Sequence, residues 1–255
     1  MARSDLRRFS QIGVDRLIRL SWLQKTARLV LAGDDDETFK GYLQEYLRIE
    51  FPSSDTSVRG SINKIITILL RVWSRPPEDL VSLRNGGLEL LVSMKGEEEL
   101  PIHWGMTMAV YPFWGAVAAA TGRLLSIQED VSASQVQRRL REQYGERQTV
   151  SRRVRYLLRS FIDWGVLRET QEKGVYAQGR LIEIYGQTQK AWLLEALLNS
   201  LPDGTVRLSA AVSHRAIFPF ELNHVSAEQI TSSTDRIELV HQAAGQDLLI
   251  LNAAN

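Results

Sequence analysis

The stretch that most constrains the fold is Val131–Gly179, because its period changes twice at glycines. Ser132 followed by Gln135 has the spacing of a capping box, in which the two side chains satisfy each other's free backbone N–H groups, so a helix starts there. Val136 and Leu140 give its apolar face and Tyr144 adds a contact. Gly145 sits where a helix C′ residue belongs. Glu146, Arg147 and Gln148 lead to Thr149, the expected N-cap of a second helix over Val150–Trp164. Gly165 ends that helix. Val166–Thr170 and Val175–Ala177 then alternate in polarity around Gln171-Glu172-Lys173-Gly174, which predicts a hairpin with a polar tip.

The second helix sorts its residues by face. Val150, Val154, Leu157, Leu158 and Phe161 recur at helical spacing on one side. Ser151, Arg152, Arg155 and Arg159 fall on the other, flanked by Arg153 and Tyr156. Two helices joined by a short glycine-containing turn form a helix-turn-helix. With the hairpin behind them they resemble the winged helix-turn-helix superfamily over roughly residues 100–179. The run Phe161-Ile162-Asp163-Trp164-Gly165-Val166-Leu167 is similar to the junction between recognition helix and wing in that superfamily. The resemblance implies binding of duplex nucleic acid, without catalysis. Arg152, Arg155 and Ser151 would then face a major groove, where arginine can pair with guanine in a bidentate manner. Arg138, Arg139, Arg141, Arg147 and Arg159 would meet phosphates, and Lys173 would lie at the wing tip. Thr149, Arg153 and Tyr156 complete the expected DNA-binding set.

Charge distribution agrees with that expectation. The chain has 255 residues and a formal net charge of only +1. Yet residues 135–160 carry eight arginines against Glu142 and Glu146, so the remainder is net acidic. A basic cluster on a near-neutral protein is the footprint expected for a polyanion partner. Winged helices also dock proteins, so an adaptor function is the alternative reading.

The first 95 residues read as a helical domain. Leu17, Leu20, Leu23, Ala27, Val30 and Leu31 form one stripe, stopped by Gly33. The acidic run Asp34-Asp35-Asp36-Glu37 is read as capping the next helix, with Phe39, Tyr42, Leu43, Tyr46 and Leu47 on its buried face, rather than as a metal site. A third helix is expected over Thr56–Trp73 and a fourth over Glu78–Met94, weakened or broken at Asn85-Gly86-Gly87. Lys95–Glu99 is the expected domain boundary. Ile102–Ile127 reads as one helix kinked at Pro112. Residues 180–255 form the third expected region: a helix over Gln187–Asn199, a turn at Leu201–Gly204, and a hairpin of Arg236–His241 and Asp247–Leu251 around Ala243-Ala244-Gly245-Gln246. The expected fold class is mainly α: a helical N-terminal domain (1–95), a central winged helix-turn-helix (100–179) and a small mixed α/β C-terminal region (180–255).

The remaining residue types narrow the chemistry. With no cysteine there are no disulfides or thiolate metal sites, which fits a reducing compartment. No export signal is read at the N-terminus, and the apolar stretch Met106–Ala120 is too short to span a bilayer, so a cytoplasmic protein is expected. The four histidines have no metal-ligand spacing, and no phosphate-binding loop, dinucleotide fingerprint or nucleophile elbow occurs. No cofactor is expected. His103 reads as a hydrogen-bonded core histidine, and Trp104, Tyr111, Phe113 and Trp114 as packing. The expected partner is double-stranded DNA, with further protein partners in a larger complex, no membrane, and an undetermined oligomeric state. In size and architecture the chain resembles the small helical accessory proteins of BREX-type bacterial phage-defence clusters. That resemblance implies a DNA-associated accessory role; the alternative is a local regulator of transcription.

Overall fold

In the computed structural model, residues 7–33, 36–51, 56–242 and 246–252 are described. Asp34 and Asp35 of the expected capping run, and residues 243–245 of the C-terminal hairpin, lie outside them. The chain begins with α1 (Arg7–Ser10), α2 (Leu20–Ala32), α3 (Asp36–Glu50), α4 (Thr56–Trp73) and α5 (Val81–Ser93). It continues through α6 (Leu100–Val110), α7 (Pro112–Leu125), β1 (Asp130–Ser132), α8 (Ala133–Tyr144) and α9 (Gln148–Asp163). Next come β2 (Leu167–Glu169), β3 (Val175–Gln178), β4 (Ile182–Glu183) and α10 (Gln187–Ser200). The C-terminal part holds β5 (Thr205–Arg207), α11 (Leu208–Val212), β6 (Phe220–Glu221), α12 (Ala227–Ser233), β7 (Ile237–Gln242) and β8 (Gln246–Leu251). The protein is mainly α, with three small sheets among the described residues.

Two helices form the centre. Every residue of α6 is buried, as are the twelve residues Gln189–Ser200 of α10. A helix buried on all sides has no polar face, so its sequence lacks the 3.6-residue alternation that marks a surface helix. Trp192 locks α10 to its neighbours. Its indole donates to the Leu83 carbonyl at 2.9 Å. Gly87 lies beneath that ring, where an added Cβ would come within 2.8 Å of the indole. The Asn85-Gly86-Gly87 run is therefore no break: α5 passes through it unbroken, and Gly87 leaves room for the Trp192 ring of α10. The charged members of α10 are paired, as burial requires. Lys190 Nζ donates to the Asn223 carbonyl at 2.6 Å, and Arg236 holds both Glu195 oxygens at 2.7 and 3.0 Å.

The single helix expected over Ile102–Ile127 is two. Pro112 cannot continue the hydrogen-bond ladder and drives the residue before it out of the helical region, so Tyr111 (φ −125°, ψ 82°) separates α6 from α7. The new direction brings Trp104 and Trp114 together at a ring-centroid distance of 5.4 Å. Phe161 of α9 packs on both, at 4.8 and 5.0 Å, and Trp164 lies 4.8 Å from Trp114. This aromatic cluster is the floor on which α9 rests. Among the expected buried stripes, Leu31 and Tyr42 are instead exposed, Leu17 precedes α2, and Glu78–Leu80 is a turn of 3₁₀-helix ahead of α5.

The strands differ from expectation mainly in number. β1, whose three residues carry no alternation long enough to read, pairs with β3 (Val131 opposite Tyr176) and completes an antiparallel sheet in the order β1-β3-β2. At the C-terminus β7 and β8 pair antiparallel, and β5 adds a third strand on the outer side of β8. β4 and β6 form a short parallel pair.

Candidate nucleic-acid interface

Helix α8 opens on the capping box the sequence predicts: Ser132 Oγ accepts from Gln135 N at 3.2 Å and Gln135 Oε1 accepts from Ser132 N at 2.8 Å. It ends at Gly145, whose φ of 89° turns the chain. Helix α9 starts earlier than expected. Its N-cap is Arg147 and its first residue Gln148, so Thr149 lies inside the first turn and caps nothing. The wrong start follows from the absence of any side-chain cap: Arg147 makes none, so nothing in the sequence marks the boundary.

The five residues of the expected apolar stripe of α9, Val150, Val154, Leu157, Leu158 and Phe161, are all fully buried, and Ile162 is half-buried beside them. Opposite them, Gln148, Arg152, Arg155 and Arg159 are exposed and spaced i, i+4, i+7, i+11, which aligns them along one face of the helix. That row is about 16 Å long at 1.5 Å per residue. Among the described residues none of its three arginines, nor Arg147, has a carboxylate within ion-pair distance, so their charge is uncompensated. A groove of about 790 Å³ runs along this face, bounded on the α8 side by Arg141 and Glu146. Ser151 is half-buried at its edge, where its carbonyl accepts from Gln137 Nε2 at 3.2 Å.

The other expected residues separate into distinct positions. Arg141 reaches the groove but pairs with Glu146 at 3.2 Å. Arg138 is exposed on the side of α8 away from the core. Arg139 faces a different groove, between α8 and α7, and lies 3.8 Å from Glu142. Arg153 turns toward the N-terminal segment: partial burial pulls its pKa down, Asp15 opposes this, and its Nε has no hydrogen-bond partner. Tyr156 sits beside Arg152, and both also line a hollow of about 450 Å³ shared with Arg16 and Lys64. Those two cations, more than 80 residues away in sequence, were beyond the reach of local pattern. Asp15 lies between them, 3.4 Å from Arg16 and 3.9 Å from Lys64.

The hairpin of β2 and β3 stands beside α9. Tyr176 on β3 is close enough to feel Arg159 and Arg155; burial raises its phenol pKa, Glu169 adds to the rise and the two arginines oppose it. Lys173 is exposed at the tip. The hairpin carries Arg168 and Lys173 against Glu169 and Glu172, so it has no net charge. Its base is closed by Gly179, which donates to Val166 O at 2.9 Å while Arg180 N donates to Gly165 O at 2.9 Å.

The other end of α9 is clamped by the N-terminal segment. Ser160 Oγ accepts from Ile18 N at 2.9 Å, and Asp163 Oδ2 from Leu20 N at 3.1 Å. His103, away from this face, is completely buried 3.6 Å from Glu99, and neither of its ring nitrogens has a hydrogen-bond partner, contrary to the hydrogen-bonded histidine expected. Among the described residues no three His, Asp or Glu side chains gather into a metal-ligand set. No helix there is long and apolar enough to cross a membrane. No family model, no curated protein and no solved structure matches the chain.

Proposed function

We propose that the protein binds duplex DNA without catalysing a reaction on it, through a winged helix-turn-helix made of α7, β1, α8, α9, β2 and β3. The order helix, strand, helix, helix, hairpin, with the lone strand completing the hairpin's sheet, supports this assignment. The observation that carries the function is the uncompensated row Gln148, Arg152, Arg155, Arg159 on the outer face of α9. A helix with its side chains is about 10–12 Å across and a B-form major groove about 12 Å wide, so one such face enters one groove. In this reading Arg152 and Arg155 meet base edges, Gln148 adds an amide suited to adenine, and Arg147 and Arg159 hold the flanking phosphates. Thr149 and Ser151 border the same groove, and Arg138 and Arg141 extend it along α8. Arg139 has no part, because it faces elsewhere.

The neutral hairpin assigns most of the affinity to the helix, with Lys173 a local phosphate contact. A role as transcriptional regulator or as accessory subunit of a larger assembly follows from which DNA is bound.

Fluorescence anisotropy of a random-sequence duplex of about 30 bp tests the proposal, since phosphate contacts release counterions and give a straight line of log affinity against log salt. Binding with that salt dependence supports it. Absence of binding at low salt refutes it and makes a protein-docking winged helix the better account.

A further inference from the structure

A second groove of about 660 Å³ lies between α7, the end of α8, Phe9, residues 200–202 and residues 210–216. We propose that it binds a small amphipathic anion: a compact apolar body carrying a carboxylate. Its floor is the small-residue face of α7, where Ala116, Ala119 and Ala120 are only partly covered and leave width for an apolar group. Leu140 and Tyr144 of α8 form one wall. Ile127 stands at the mouth with 77% of its surface exposed, an apolar side chain whose burial a ligand would complete.

The rim carries the charge. Arg123, Arg139 and Arg215 line the groove, and among the described residues no aspartate or glutamate does. Among the described residues Arg123 and Arg215 have no carboxylate within ion-pair distance, so two guanidinium groups face the opening without a counter-charge. His214 adds a donor: its Nδ1 accepts the Ala216 N–H at 3.2 Å, which puts the ring proton on Nε2. An apolar floor with convergent cationic donors at one edge is the arrangement that selects an apolar acid over a neutral hydrocarbon or a hydrophilic anion. The volume lies within the range of about 300–1,000 Å³ usual for small-molecule sites.

The test uses anilinonaphthalene sulfonate as an anionic reporter on the full chain, with decanoate as competitor and phenylnaphthylamine as the neutral counterpart. The proposal expects saturable binding of the reporter, displacement by decanoate, and affinity for the neutral probe lower by about tenfold or more. Reversing both exposed arginines, Arg123→Glu with Arg215→Glu, should weaken the anionic reporter by about tenfold or more with the melting temperature unchanged. Ala120→Trp should block the groove. If that variant melts early, the charge-reversed variant decides alone. Equal binding of the neutral probe, unchanged binding in the charge-reversed variant, or displacement of the reporter by duplex DNA would each overturn the proposal. The last result would make the rim a phosphate-contacting surface instead.

Discussion

The indole of Trp164 donates to the carbonyl of Ile18 at 2.9 Å, while the N–H of the same Ile18 donates to Ser160 Oγ at 2.9 Å. One buried residue, Ile18, thus ties the segment before α2 to the end of α9 through both of its backbone polar groups. Both groups are shielded from water, so removing either partner leaves an unsatisfied polar atom at a cost of about 1–3 kcal/mol. Trp164→Phe and Ser160→Ala should each lower stability by that amount in denaturant titration. The double variant should lose less than the sum, because the two contacts share Ile18. Strict additivity would contradict a shared clamp.

Phe161 is fully buried between Trp104 and Trp114. Phe161→Ala removes a ring that closes the floor under α9 and should cost about 3–5 kcal/mol. The same titration checks it, and a near-neutral result would argue against the register of α9.

Gly179 approaches the Gly165 carbonyl so closely that an added Cβ would lie 2.3 Å from its oxygen. The neighbour is backbone and cannot swing aside. Gly179→Ala should therefore destabilise by at least about 1–3 kcal/mol and open the base of the hairpin. Earlier amide hydrogen exchange at residue 179 and Arg180, the two donors that close the base, is the measurement in that variant.

Burial pulls the His103 imidazole below its ordinary value near 6.5, and Glu99 only partly offsets this. The unfolded chain takes up this proton near its ordinary value while the folded chain resists it. The stabilisation is therefore complete above pH 6.5 and is lost as pH falls below it. His214, also depressed by burial, acts in the same direction. Stability measured by urea between about pH 7 and pH 5 should fall, and less steeply in His103→Gln. A slope unchanged by that substitution would place the titration elsewhere.

Much of α8 and α9 was legible in the sequence because a surface helix exposes its period: Val150, Val154, Leu157, Leu158 and Phe161 are all buried as read. At the centre the helix over Gln187–Asn199 was legible to within one residue of α10, but its enclosure on every side was not, and the helix break at Tyr111 between α6 and α7 read as a kink. Gln148 was left in a turn for want of a capping side chain. The clamp from Ile18 to Ser160 spans 142 residues and had no local signature. Arg139 looked equivalent to Arg138 and Arg141 by composition, yet helical rotation turns it toward another groove.

The central claim is that the exposed row on α9 contacts DNA phosphates and bases. The most direct measurement compares the salt dependence of duplex affinity for the wild-type protein and for Arg152→Ala, Arg155→Ala and Arg159→Ala combined. The account predicts weaker binding from the loss of Arg152 and Arg155 and a log–log slope shallower by about one unit for the phosphate contact of Arg159, with the melting temperature unchanged. An unchanged slope and affinity in a folded triple variant would contradict it and move the interface off α9.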